Sequence, residues 1–213
     1  MEVRRALEQW VTTTGLVVTD AAWARLESLV ELWARYGAAF NLVGDTSVTA
    51  LNEHVREGLM AVRVAELAAS RVGPWLDIGS GAGIPGLVVA IVRGNVAMME
   101  PRSRRAAFLE LAVGALKIPD STVIRARVDG PMWRVLPGST SADLEMSEIT
   151  VLSAKAVMPV EKWLSTAFAL APEALAICHI SPDVAETLGL YGPARLDFGD
   201  RSVVGVLAEQ IAG

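Results

Sequence analysis

The stretch WLDIGSGAGIPGLVVAI, residues 75–91, joins two apolar runs through a loop rich in glycine. The first run is β-like and contains Asp77, and the second resumes at Ile84 with helical character. Glycines lack a Cβ, so a ligand can approach the backbone closely at such a loop. The stretch therefore predicts a ligand-binding turn between the first strand and the first helix of an α/β sheet.

The sequence of that loop is compatible with two kinds of ligand. Read from Gly81, the letters GAGIPG match the G-x-G-x-x-G dinucleotide pattern. Read from Asp77, the letters DIGSGAG place a carboxylate at the strand end, which repels a pyrophosphate and favours the sulfonium and ammonium groups of S-adenosylmethionine. The favoured cofactor is S-adenosylmethionine, and a nicotinamide dinucleotide remains the alternative. The loop residues expected to bind it are Asp77, Gly79, Ser80, Gly81 and Gly83.

Two further acids stand at predicted strand ends. Glu100 closes the strand VAMME, where a carboxylate can accept hydrogen bonds from both ribose hydroxyls. Asp129 comes just after the strand TVIRA, where we expect it, with its neighbour Val128, beside the adenine amino group. The ordered set of acids and glycines predicts an adenosine-containing ligand.

The pattern of the chain changes at about residue 70. Before it, apolar residues recur every three or four positions in 20–37 and 47–68, which predicts a helical extension over 1–70, packed on the rest. After it, β-rich runs alternate with helical ones, which predicts a cofactor-binding domain with a parallel sheet over 71–213. The last strand, near 202–209, is a candidate for antiparallel entry, and 130–145 is expected to be a surface loop.

Composition restricts the class of protein. The 213 residues are 52% hydrophobic, but the longest apolar stretch falls far short of the ~20 residues of a membrane span. With no apolar signal segment at the N-terminus, we expect a cytoplasmic protein. The net charge of −5 argues against bulk electrostatic binding of nucleic acid, though not against a local basic patch. One cysteine and two histidines at unsuitable spacing predict no metal site.

The opening stretch and several other segments, in order along the chain, resemble the family of bacterial 16S ribosomal RNA guanine-N7 methyltransferases. The segments are FNLV, EHVREGL, WLDIGSGAGIPGLVVAI, the acid in MMEPRSRRAAFL, RARVD, SAKAV and the closing DRSVVGV. The resemblance implies a Rossmann-like class I S-adenosylmethionine-dependent methyltransferase sheet, with helices on both faces and an N-terminal helical extension. It also implies methyl transfer to a guanine N7 in 16S ribosomal RNA or the small ribosomal subunit, by a cytoplasmic protein expected to be a monomer.

The resemblance also assigns acceptor residues. Lys155, in SAKAV, stands where the family has an arginine near the methyl group, so we expect it to be catalytic and to bind the acceptor. The other expected acceptor contacts are Asn41 and His54, together with Arg104, Arg105 and Arg127 from a basic cluster in which Arg105 matches a basic position of the family. The chain departs from the family at three further places: Arg56 replaces an apolar residue, Gly58 a small hydroxyl residue, and His179 a lysine.

Alternatives remain for the acceptor side. The arginines at 102–105 also fit a solvated helix start, and His54 with Glu57 also fits a pair in the core. Guanine N7 carries a free lone pair, so its methylation needs no general base and the sequence needs no His–Asp pair. The departures and the acidic charge favour, as the alternative function, a methyltransferase of the same fold that acts on a small molecule or a protein. A non-catalytic binding protein is a further alternative.

Overall fold

A computed structural model of the chain describes residues 2–39, 41–69, 72–129, 132–139, 144–190 and 194–210. The first third contains three helices, α1 (Glu2–Thr14), α2 (Asp20–Tyr36) and α3 (Val48–Ala68). Thr19 and Ser47 precede α2 and α3, and the side chain of each accepts a hydrogen bond from a first-turn N–H. The helical character predicted for this third from apolar spacing is confirmed.

The rest of the chain alternates strands and helices. The elements are β1 (Trp75–Ile78), α4 (Gly86–Arg93), β2 (Val96–Met99), α5 (Ser103–Leu116), β3 (Ser121–Ile124), β4 (Ala126–Asp129), β5 (Met132–Val135), β6 (Val151–Ala154), α6 (Val160–Leu170), β7 (Leu175–Ile180), α7 (Pro182–Thr187), β8 (Arg195–Phe198) and β9 (Arg201–Val206). Short 3₁₀ turns lie at Met146–Glu148 and Ala208–Gln210.

Seven strands form one sheet in the order β3-β2-β1-β6-β7-β9-β8. The first five of these run parallel, and β9 runs antiparallel to both β7 and β8. The chain moves outward from β1 to β3 and then returns to β6 on the other side of β1. The carboxyl ends of β1 and β6 therefore flank a topological switch point, which is where open α/β sheets bind ligands. The predicted parallel sheet and its antiparallel last strand are confirmed.

The segment 130–145 corrects one prediction. It was expected to be a surface loop, but β5 lies within it and pairs with β4 in a separate two-stranded sheet. The strand expected over TVIRA ends at Ile124, so Asp129 lies on this hairpin and not at the end of a strand of the main sheet. Val128 and Trp133 pack against the core from one face of the hairpin. This tertiary contact stabilises two strands that are too short to show a clear alternating pattern in the sequence.

Helices cover both faces of the main sheet. On one face a single hydrophobic cluster combines Leu7, Trp33 and Leu59 from the N-terminal helices with Leu87 of α4 and Val203 of β9. On the other face Trp163 and Leu164 of α6 pack against the sheet. The N-terminal helices are thus one layer of the core, and α3 lies against α4 and β9.

Gly58 of α3 packs directly against Val88 of α4. A Cβ built on Gly58 would lie 2.5 Å from the Cβ of Val88, which accounts for glycine where the family resemblance expects a small hydroxyl residue. We expect Gly58→Ala to lower the free energy of unfolding by about 1–2 kcal/mol, because both atoms belong to packed helices. Denaturant unfolding measures the change. Gly114→Ala is the matched control, since Gly114 is also helical but has open space around it; it is expected to stabilise the chain slightly. Equal stability of Gly58→Ala and the parent would contradict the packing argument.

Candidate functional site

The glycine loop between β1 and α4 is held against the end of β2. Gly79, Gly81 and Gly83 all have positive φ, a conformation that favours glycine. The N–H groups of Gly79 and Ser80 donate to the carbonyl oxygen of Met99 at 2.7 and 3.1 Å. A Cβ at Gly81 would have Arg105 Nη1 and the Gly79 carbonyl, both at 3.7 Å, as its nearest neighbours, so the loop leaves open space there. Hydrogen bonds therefore hold the loop in place, and a ligand can approach its backbone at Gly81.

Asp77 lies beneath this loop. Its carboxylate accepts hydrogen bonds from the Ser153 hydroxyl at 2.6 Å and from the Gly86 N–H, at the start of α4, at 3.2 Å. Burial raises the pKa of Asp77 above its ordinary value. Asp77 is not among the residues that line the neighbouring cavity. The Asp77 carboxylate therefore does not contact a ligand in the cavity; it acts on the ligand by holding the start of α4 below the glycine loop.

Glu100 closes β2 beside the loop. One oxygen of its carboxylate accepts from the Gly81 N–H at 2.9 Å and the other from the Arg102 N–H at 2.8 Å. The residue is buried, yet it lines the cavity. Its position ties the glycine loop to the first residues of α5 and directs a carboxylate toward any ligand in the cavity.

The cavity measures about 430 Å³ and lies at the carboxyl edge of the sheet. This volume is within the range of small-molecule and cofactor pockets. Its lining residues are Leu42, Val43, Gly44, His54, Gly79, Ser80, Gly81, Ala82, Ile84, Glu100, Pro101, Arg102, Arg105, Lys155, Ala156 and Val157. The open glycine backbone suits the amino-acid portion of S-adenosylmethionine, the Glu100 carboxylate suits its ribose hydroxyls, and a cation can pair with its single carboxylate, so the residues present fit this cofactor.

The two residues expected at the adenine are not among those that line the cavity. Val128 and Asp129 are on β4, and neither lines the cavity. Val128 faces the core, whereas Asp129 is exposed on the opposite face of the hairpin together with Arg127. The expectation that Asp129 closes a strand of the main sheet is wrong, because the chain leaves that sheet at Ile124. Contact of the hairpin with the adenine stays a prediction.

Lys155 reaches the same cavity from the end of β6. Its Nζ lies 2.6 Å from Glu57 Oε2, and Arg201 Nη1 lies 2.7 Å from the same oxygen. The other oxygen of Glu57 is 3.2 Å from His179 Nδ1. Burial opposes ionisation of Glu57, but the hydrogen bonds and charges of His179 and Lys155 outweigh it and hold the pKa of Glu57 well below its usual range.

His54 lines the cavity but makes no hydrogen bond to Glu57. Its ring packs edge-on against Trp33, with 6.2 Å between ring centres, and its buried Nδ1 has no hydrogen-bond partner among the described residues. Burial, assisted by the charge of Lys155, lowers the pKa of His54 to about 4, so the ring is neutral at pH 7. His54 and Glu57 therefore do not form the suggested core pair: His54 packs against Trp33, and Glu57 binds the three basic side chains.

The arginines form a second surface beside the cavity. Arg105 Nη2 donates to the Asn41 carbonyl oxygen at 3.0 Å, and Asn41 has a positive φ of 50°. An open cleft of about 420 Å³ is lined by Asn41, Arg102, Ser103, Arg104 and Arg105. On the hairpin, Arg127 lies directly opposite Arg134, and both are exposed. Like charges placed opposite one another destabilise a hairpin unless an anion joins them.

Arg201 was not identified from the sequence, and the role of Glu57 was not resolved there. Arg201 lies in the closing segment DRSVVGV, which the resemblance included without assigning a role to any of its residues. For His179 and Arg56, the departure from the family pattern was the sequence signal that could have indicated a role. His179 joins Glu57, and the Arg56 guanidinium lies over the Phe198 ring at 3.6 Å from its centre, a cation–π contact. Each departure therefore has a partner in this fold.

The fold and the cavity define a class of protein. A sheet with this strand order and one antiparallel strand, a glycine loop after β1 and an acid after β2 is the architecture of class I S-adenosylmethionine-dependent methyltransferases. Two solved structures share the fold: a METTL16 methyltransferase domain, with a TM-score of 0.53 over 86% of this chain and 80% of that one, and a human methyltransferase 10 domain containing protein, with 0.50 over 87% and 97%. Their sequence identities are 15% and 14%, so they show the fold alone.

The sequence model of the family GidB, rRNA small subunit methyltransferase G, matches residues 22–169, and the chain belongs to this family. Proteins named ribosomal RNA small subunit methyltransferase G are 29% identical in Paracoccus denitrificans, over 66% of this chain and 66% of that protein, and 31% identical in Paramagnetospirillum magneticum, over 76% and 70%. A third, from Thermobifida fusca, is 34% identical over 66% of this chain and 54% of its own length. The chain thus spans about two thirds of the length of the first of these relatives and about half of the third.

Within the residues that the structure describes, no helix is long and apolar enough to cross a membrane. Nor do three His, Cys, Asp or Glu side chains of that part of the chain come together as a metal site.

Proposed function

We propose that this chain transfers a methyl group from S-adenosylmethionine to N7 of a guanine in 16S ribosomal RNA. The observation that carries the proposal is one cavity in which the glycine loop and Glu100 face Lys155 across the carboxyl edge of the sheet. Family membership supports the same reaction, because its members are named for methylating small-subunit ribosomal RNA. The function implies a cytoplasmic protein, and we propose that it acts as a monomer.

The residues divide between two partners. Gly79, Ser80, Gly81, Gly83 and Glu100 hold the cofactor, and Asp77 supports them from below. When bound, S-adenosylmethionine supplies the methyl group and its sulfur keeps the electron pair of the broken bond. The N7 lone pair forms the new carbon–nitrogen bond, so no proton leaves the base. Accordingly the site needs no general base, and the neutral His54 shapes the cavity wall.

Catalysis then rests on orientation. A nucleotide must be held so that N7 lies in line with the methyl–sulfur bond, and water must be kept out. We assign this task to Lys155, at the cavity wall, with Asn41, His54 and Arg105 around the entrance. A guanine in structured RNA must first be exposed or extruded to enter. Arg104 and Arg127, both exposed, are suited to bind the phosphates around it.

Mass spectrometry of nucleosides tests the proposal. Small ribosomal subunits that lack the modification are incubated with the protein and labelled S-adenosylmethionine, and labelled 7-methylguanosine is the expected product. An inactive protein that binds the cofactor tightly would overturn the ribosomal assignment and favour a small-molecule or protein acceptor. The departures at Arg56, Gly58 and His179 do not favour that alternative, because each has a structural partner.

Binding of RNA is expected to depend on Arg104 and Arg127. Changing both to glutamine removes two exposed cations that do not line the cavity, so the slope of log affinity against log salt becomes less steep by about one to two units. Cofactor affinity is expected to stay the same. The matched control changes Arg5 and Arg93 to glutamine, which removes the same charge from α1 and from the end of α4. An equal salt slope in both double variants would show that neither Arg104 nor Arg127 contacts a phosphate.

A further inference from the structure

A buried carboxylate from the N-terminal layer meets basic side chains from three strands of the sheet. Glu57 belongs to α3, whereas Lys155 follows β6, His179 lies in β7 and Arg201 opens β9. These partners are 98, 122 and 144 residues away along the chain. All three strand ends lie at the carboxyl edge of the parallel strands, next to the cavity. Glu57 therefore joins the helical extension to the acceptor side of the site.

Both oxygens of the Glu57 carboxylate have basic partners. Oε2 accepts from Lys155 Nζ at 2.6 Å and from Arg201 Nη1 at 2.7 Å, while Oε1 faces His179 Nδ1 at 3.2 Å. A rotation of the carboxylate would break at least one of these charge-assisted contacts. Glu57 itself does not line the cavity, whereas Lys155 does. The carboxylate thus determines where the ammonium group lies on the cavity wall.

Lysine needs such an anchor more than arginine would. Its ammonium is a point charge on a flexible four-carbon stem, whereas arginine carries a planar fork that orients itself. Held at one oxygen, Lys155 keeps its remaining N–H groups for a ligand, and its side chain is 24% exposed beside the loop. An unanchored lysine here would occupy several rotamers and lose part of its orientation at each encounter with a nucleotide.

The charge of the cluster points to a ligand. Lys155 and Arg201 both contact one oxygen of Glu57 and repel each other there, and the exposed Asp200 carboxylate, 3.9 Å from Arg201 Nε, offsets the remaining positive charge only weakly. Buried ion clusters are poor devices for stability, since apolar side chains of the same volume often serve as well. In addition, the Nε2 atom of His179, whose side chain is 2% exposed, has no partner among the described residues. The ammonium group of Lys155, which shares its carboxylate partner with a second cation and lines the cavity, is therefore suited to an electronegative oxygen of the nucleotide.

We propose that Glu57 is a positioning residue for methyl transfer: it fixes the ammonium group of Lys155 where the acceptor nucleotide enters the cavity. Glu57 acts through Lys155 and touches neither the cofactor nor the nucleotide. The inference rests on the proposed function, because it assigns to Lys155 a contact with the acceptor. It gives the N-terminal helical layer a part in the reaction, since α3 supplies the carboxylate.

A double-mutant cycle tests the inference. Glu57→Gln, Lys155→Met and the double variant are compared with the parent for kcat and KM on small subunits that lack the modification. We expect each single variant to lower kcat by about tenfold or more, and the double variant to be no slower than Lys155→Met by more than about twofold. Cofactor affinity, measured by calorimetry, is expected to change less than about threefold in all of them.

Two further variants keep the test decisive. Glu66→Gln is the matched control, because Glu66 also lies on α3 and pairs with two arginines, Arg63 and Arg93, away from the cavity; its kcat is expected to equal that of the parent. Glu57→Asp retains the charge if Glu57→Gln does not fold, and it is expected to lower kcat by a smaller factor. Multiplying losses in the cycle, or unchanged kcat in a folded Glu57 variant, would overturn the inference alone. An inactive parent would overturn the proposed function and the inference with it.

Discussion

Replacement of Lys155 by alanine is expected to slow methyl transfer to the small ribosomal subunit by about ten- to a hundredfold, which is a loss of about 1.4–2.8 kcal/mol of transition-state stabilisation. The ammonium group lies 2.6 Å from Glu57 and beside the glycine loop, so its removal takes away the oriented cation of the acceptor side. Cofactor affinity is measured in parallel and is expected to stay within a few-fold of the parent.

Lys155→Arg is the informative companion variant. It restores the residue type that the family resemblance has at this position, and two parallel donors bind an oxygen pair at least as well as one ammonium. The expected rate equals or exceeds that of the parent. A Lys155→Ala variant as fast as the parent would contradict the acceptor role, and a slow Lys155→Arg would show that the cluster around Glu57 accepts only lysine.

Replacement of Glu100 by alanine is expected to weaken binding of S-adenosylmethionine by about 1–3 kcal/mol, because the ligand loses a charge-assisted acceptor. The variant also frees the Gly81 and Arg102 N–H groups that the carboxylate now accepts from, so the loop is less rigid when the ligand arrives. Calorimetry measures the dissociation constant, and thermal unfolding verifies that the variant is folded.

The controls for Glu100 separate charge from position. Glu100→Gln keeps the size of the side chain but turns one acceptor into a donor, so it is expected to weaken binding as well. Glu110→Ala removes an exposed acid from α5 without touching the cavity, and its affinity is expected to match the parent. An unchanged dissociation constant in folded Glu100→Ala would mean that the ribose lies elsewhere in the cavity.

The glycine loop and the acid beside it could be predicted from the sequence because their determinants are local. The glycines, Ser80 and the flanking apolar runs lie within one short segment, and a strand, loop and helix follow from that order. Glu100 was found because it ends the next strand, and the ends of neighbouring parallel strands meet at one edge. The alternating pattern likewise predicted the parallel sheet, and the helical spacing predicted the N-terminal layer.

The position of Asp77 and the β4–β5 hairpin depend on packing instead. Nothing in the letters WLDI says that Ser153, 76 residues later, pairs with Asp77 beneath the loop. The hairpin strands are four residues long, and what supports them is the contact of Val128 and Trp133 with the core. Because short runs carry little periodic signal, 130–145 resembled a loop until its tertiary partners were known.

The sequence by itself determined the family, the fold class and the position of the glycine loop, because each depends on local spacing and contiguous motifs. Only the tertiary structure showed that Lys155, His179 and Arg201 meet at Glu57. The nearest of these partners is 98 residues away from Glu57 along the chain. Contacts over such separations depend on how helices and strands pack, and a single sequence does not record which distant charges share one carboxylate.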